Sequence, residues 1–75
     1  MEQKNIIPIQ HTKQFGIYHW DTFDNETILI AETNTLPQAQ RKVRKRYGER
    51  ISPDGADRVE IVNRNGDIVR SYQVK

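Results

Sequence analysis

Seventy-five residues, twelve of them Lys or Arg, ten Asp or Glu and none Cys, make one small domain with a thin core. That excludes a cofactor domain joined to a substrate domain, a disulfide framework, a thiolate metal site and a cysteine nucleophile. No apolar run approaches the roughly 18 residues of a membrane span, and MEQKNIIPIQHTKQ lacks the apolar stretch of a secretory leader. Cysteine-free and leaderless, the chain is expected in a reducing compartment, the cytoplasm.

Residues 1–14 read as a flexible or edge-strand tail. Pro8 interrupts the apolar cluster Ile6, Ile7 and Ile9, so a central strand is not expected there. From Phe15 the composition turns aromatic and β-branched. FGIYHW and ETILIAET, linked by the polar DTFDN, read as a hairpin. With Trp20 opposite Thr27, Phe15, Ile17 and His19 share a face with Ile28 and Ile30. Tyr18 and Trp20 then share the other face with Leu29 and Ala31. A slip of one residue exchanges these groups, because the side-chain period of a strand is two.

The period then changes to 3.6. In TNTLPQAQRKVRKRYG, Leu36, Ala39, Val43 and Tyr47 fall along one helical face. Thr35 and Gln38 have capping-box spacing, Pro37 sits in the first turn, and Gly48 supplies a stop. Arg44, Lys45 and Arg46 lie in the last turns, where the helix dipole favours cations. The spacing predicts a helix over 36–47.

Ser52-Pro53-Asp54-Gly55 has the chemistry of a turn. DRVEIVNRNGDIVRSYQV then reads as a second hairpin, with Asn65-Gly66 as a type I′ turn. That turn puts Val62 opposite Val69, Ile61 opposite Arg70 and Val59 opposite Tyr72. One face gathers Val59, Ile61, Ile68, Tyr72 and Val74. The other gathers Arg58, Glu60, Ser71 and Gln73. The expected fold is α+β: residues 15–75 form one ββαββ domain, a four-stranded, mainly antiparallel sheet with one helix on one face.

Gln38-Ala39 with Val43, together with the ending RVEIVNRNGDIVRSYQV, resembles a family of small bacterial hairpin-helix-hairpin domains of unknown function. The resemblance runs from Gly16 to the C-terminus. It implies the same fold and carries no activity. The cationic run on the helix and Trp20 have no counterpart in it.

Catalytic patterns are missing. The glycines at 16, 48, 55 and 66 are scattered at turns, so none forms a phosphate-cradling loop. Ser52 and Ser71 belong to a turn and a strand, and no hydroxyl-histidine-carboxylate set follows from the spacing. His19 with Asp21, Asp24 and Glu26 is the nearest approach to a ligand cluster, and it matches neither zinc nor EF-hand spacing. No enzyme, metal or cofactor is expected.

Charge and aromatics remain. Arg41, Lys42, Arg44, Lys45, Arg46 and Arg50 fall within ten residues, opposed there by Glu49 alone, and the first five fan across the helix away from Leu36 and Val43. Such a face neutralises phosphates, or serves as a solvated surface rich in good helix formers. Tyr18, Trp20 and Leu29 form a candidate protein-contact patch on the sheet face that the helix leaves open. The expected function is a non-catalytic intracellular interaction module, contacting a protein partner or a second copy through the first hairpin. The alternative is a small nucleic-acid binder using the basic helix.

Overall fold

The computed structural model describes residues 9–75. The elements are β1 (Phe15–Asp21), β2 (Glu26–Thr33), α1 (Leu36–Tyr47), β3 (Asp57–Val62) and β4 (Ile68–Val74), with a single 3₁₀ turn at Gly48–Arg50. The fold is the expected ββαββ, and the strands lie in the order β2-β1-β3-β4, antiparallel throughout. The longest-range pairing, β1 with β3, is made because α1 carries the chain across β1. No helix among the described residues is long and apolar enough to cross a membrane.

The helix starts and stops where its chemistry says. The Thr35 hydroxyl accepts the Gln38 N–H at 3.3 Å, and the Gly48 N–H reaches back to the Arg44 carbonyl. Ala39, Val43 and Tyr47 turn inward onto Ile17, Val59, Ile61 and Val74, all at most 3% exposed. Phe15, Leu36, Ile51 and Tyr72 close the margins of this core.

Two bulges correct the expected registers. Trp20 does pair with Thr27, and Tyr18 with Leu29, but Ile17 pairs with Ala31, leaving Ile30 as the extra residue. Ala31 therefore joins Ile30 on the helix side instead of Tyr18 on the other. In the second hairpin Ile61 pairs with Arg70 and Val59 with Tyr72 as expected. Val62 pairs with Ile68, however, and Val69 is extra. Val69 thus packs on the core, and Ile68, expected inside, is 36% exposed.

The cause is the turn. A type I′ turn needs positive φ at both central residues, and Asn65 stays out of that region while Gly66 takes φ 88°. The loop is a three-residue one instead. The Gly66 N–H closes onto the Asn63 carbonyl at 3.1 Å, and the Asn63 side chain accepts the N–H groups of Asn65 and Asp67. Such a loop sets Val62 opposite Ile68, and the extra Val69 then restores Ile61 to its place opposite Arg70.

Of the N-terminal tail, residues 1–8 lie outside the described residues. Residues 9–14 form no strand and run over the sheet face opposite α1. Ile9 packs there against Tyr18 and Val62, and His11 is 2% exposed. Gly16 makes this approach possible: a Cβ there would collide with His11 Nδ1 and stand 2.6 Å from its Cγ and 2.8 Å from its Cβ.

Val43 is 1% exposed and central to the core. On the per-residue scale a domain of this size has about 4–11 kcal/mol of stability, and an unpaired buried charge costs several. Val43→Asp should therefore show no cooperative melt by circular dichroism. Val43→Ala should melt cooperatively with a loss of about 2 kcal/mol. A Val43→Asp chain melting at the parent's temperature would overturn the packing described.

Candidate functional site

All six cations singled out on and after the helix, Arg41, Lys42, Arg44, Lys45, Arg46 and Arg50, are exposed. Among the described residues none of them forms an ion pair with a carboxylate. Arg46 and Arg50 lie over the Tyr47 ring, at 6.0 and 5.3 Å from its centroid, and Arg50 Nε donates to the Lys75 carbonyl. The rest of the arc projects outward because Ala39, Val43 and Tyr47 anchor the opposite side.

One flank of α1 does more than face solvent. Between α1 and β2 lies an open groove of about 480 Å³, floored by Ile17, Ile30, Ala31 and Val43 and rimmed by Lys42, Lys45 and Arg46. The size is within the range of ligand clefts. The bulge builds the floor, since it turns the consecutive residues Ile30 and Ala31 toward the helix. Next to it, Lys13, Arg41, Lys42 and Lys45 border a more polar recess containing Glu32, Asn34 and Gln38. The Glu32 carboxylate is already engaged: Oε1 accepts the N–H groups of Thr12 (2.7 Å) and Lys13 (3.1 Å). These bonds to the charged form hold its pKa below the ordinary value.

The expected contact patch is largely covered. Tyr18 is 1% exposed and is no surface anchor. Its hydroxyl oxygen accepts the N–H of Gln10 (2.8 Å) and of His11 (3.3 Å), so its proton goes to His11 Nδ1 at 2.7 Å. His11 Nε2 then donates to the Asn63 carbonyl at 3.1 Å, and Arg64 donates to the His11 carbonyl at 2.6 Å. Trp20 and Leu29 are half-buried beside Tyr18. The Arg58 guanidinium stands 5.6 Å from the Trp20 ring centroid. Among the described residues the buried Trp20 indole N–H and Glu60 Oε1 have no hydrogen-bond partner. Glu60, expected on the polar face, is 4% exposed; its other oxygen accepts the Ser71 hydroxyl at 3.4 Å and lies 3.8 Å from Arg58 Nε.

On the helix side, His19 does not assemble with Asp21, Asp24 and Glu26. Its Nε2 donates to Asp57 Oδ2 at 3.0 Å, and its Nδ1 stands 2.7 Å from the Tyr47 hydroxyl. Asp57 Oδ1 also accepts the Thr22 N–H and hydroxyl. The bond from His19 first, then those from Thr22, hold the Asp57 carboxyl below its ordinary pKa. This hydroxyl-imidazole-carboxylate chain has the order of a catalytic triad, yet Tyr47 is 3% exposed beneath two arginines. It ties the end of α1 to β1 and β3. Asp21 Oδ1 instead accepts the N–H groups of Phe23 and Asp24 in the loop. No three His, Asp or Glu side chains among the described residues are grouped to hold a metal ion.

Neither histidine network is visible in the spacing. His19 and Tyr47 each fall on a core face, which is a hint of contact; nothing in the sequence marks Asp57 or Asn63 as their partners. No family model, no curated protein and no solved structure matches the chain.

Burial pushes the His11 pKa down. The unfolded chain then binds the proton more tightly, so stability is full above the ordinary value of about 6.5 and falls as pH drops below it. Melting temperature should decline from pH 7.5 to 5.5. In His11→Gln the decline over that interval should shrink, on a lower baseline. Equal pH dependence in parent and variant would remove His11 as the source.

Proposed function

We propose that this chain is a non-catalytic docking module that takes an acidic segment of a partner protein into the groove between α1 and β2. One observation carries the reading: an apolar floor of Ile17, Ile30, Ala31 and Val43 lies directly under Lys42, Lys45 and Arg46. An acidic segment with apolar side chains satisfies both halves. Its apolar groups leave water on the floor, and its carboxylates meet cations that already stand at the rim. The reading keeps the first hairpin as the contact element and moves the contact from the open sheet face, where Tyr18 is buried, to the flank of β2. The lack of cysteine suits a reducing, cytoplasmic setting.

Nucleic acid is the second reading, favoured by a separate observation. Arg44 and Arg50 are exposed cations that do not border the groove, so the positive arc is wider than a groove ligand needs.

The two readings separate in one titration series with a labelled Glu/Val peptide and with labelled 20-mers, duplex and single-stranded. The peptide should bind, more weakly as salt rises, and Lys42→Gln with Lys45→Gln should weaken it about tenfold while leaving the melt unchanged. Binding of the 20-mers in place of the peptide would support phosphate recognition. Each phosphate contact removed by the double change would then lower the log-affinity against log-salt slope by about 0.9 for duplex or 0.7 for single strands.

A further inference from the structure

The two outer strands are treated differently. β4 is blunted along its length. Its C-terminal end is covered by the segment after the 3₁₀ turn: Ile51 bridges to Val74, and the Ser52 N–H donates to the Gln73 carbonyl at 2.9 Å. The Lys75 N–H is held by the Arg50 carbonyl at 2.8 Å. Toward its start the bulge at Val69 breaks the ladder, and the Arg70 guanidinium donates to the Val69 carbonyl at 2.7 Å. These are recognised ways of stopping a sheet edge from pairing onward.

β2 carries a bulge of its own at Ile30, but among the described residues no segment covers its outer edge. Eight residues long, Glu26–Thr33, it pairs with β1 on one side only. Among the described residues its outer N–H and C=O groups on either side of that bulge therefore have no pairing strand. This edge runs beside the groove, because Ile30 and Ala31 belong to both.

We infer that the acidic partner segment binds by adding a strand to the outer edge of β2, a mode that rests on the docking reading above. Main-chain hydrogen bonds to β2 would hold the segment extended. Alternate side chains would then point to the helix side of the sheet, where Lys42, Lys45 and Arg46 meet them. The segment recognised is thus one whose helix-side residues, at every second position, are acidic where they meet the rim and apolar where they enter the groove. Phosphates of a nucleic acid offer no such ladder.

A second copy of this chain is the poorer occupant. Antiparallel pairing of two β2 edges about an axis normal to the sheet sets both helices on the same face. Their rims of Lys42, Lys45 and Arg46 then confront each other. Like charges brought face to face oppose that assembly. An acidic segment removes the conflict.

The test is amide hydrogen exchange on the full chain, isotope-labelled, with and without a blocked nine-residue peptide whose odd positions are Glu or Val and whose even positions are Thr. Alternate amides of β2 should slow at least tenfold on saturation, those of β4 should not change, and N-methylation of alternate peptide residues should weaken binding at least tenfold. If the peptide binds and is sensitive to Lys42→Gln with Lys45→Gln, yet β2 exchange is unaltered, strand addition is overturned while the docking reading stands. If only the 20-mers bind, the docking reading fails and strand addition fails with it. Sedimentation of the chain alone completes the experiment: dimerisation that itself protects β2 would replace the acidic segment by a second copy.

Discussion

A single twelve-residue helix has to close a four-stranded sheet. A helix is about 10 Å wide and strands are spaced about 4.8 Å, so one helix covers little more than two strands on one face. The rest of the structure answers that shortfall. The margins of the helix-side core are filled by Phe15, Leu36, Ile51 and Tyr72. The opposite face is covered in part by Ile9, on Tyr18 and Val62, and by the buried His11. Among the described residues nothing covers the flank of β2, and there the floor of the core reaches the surface between α1 and the sheet edge.

Histidine-tyrosine pairs fasten both covers to β1. His11 and Tyr18 on one face and His19 and Tyr47 on the other each meet with ring centroids 5.6 Å apart. Each imidazole passes its second nitrogen to an acceptor on or next to β3, the Asn63 carbonyl in one case and the Asp57 carboxylate in the other. Neighbouring positions of one central strand, 18 and 19, thus bind the N-terminal segment and the helix to opposite sides of the same sheet. In a core this thin such bonds matter for register, because a buried hydroxyl or imidazole left unpaired costs more than a lost apolar contact of similar size.

The same division of labour shapes the surface. Three acidic groups are absorbed within the fold: Glu32 by backbone N–H groups, Asp57 by His19 and Thr22, Asp21 by its own loop. The cations of α1 are left without carboxylates among the described residues. A chain with a net charge of only +2 therefore presents a strongly one-signed flank, placed beside an apolar floor and an open edge. Charge, apolar surface and unpaired backbone in one place are what an extended acidic segment would use.

The sequence by itself determined the element order, the helix with its cap and stop, the inward stripe Ala39, Val43 and Tyr47, and the outward arc of cations. These features come from local rules: periodicity, capping and turn chemistry act within a few residues, so they are written in neighbouring letters. It also carried the pairs Trp20–Thr27, Val59–Tyr72 and Ile61–Arg70. Only the tertiary structure decided the strand order, the two bulges, and the fate of Tyr18 and Glu60 as buried groups. A bulge adds one residue to one strand and reverses the facing of the residues beyond it, which alternation alone cannot signal; so Ala31 and Val69 joined the core and Ile68 left it. The partners of His11 and His19 lie 52 and 38 residues away, at Asn63 and Asp57. Such contacts depend on where the folded sheet places its corners, and no local pattern encodes them.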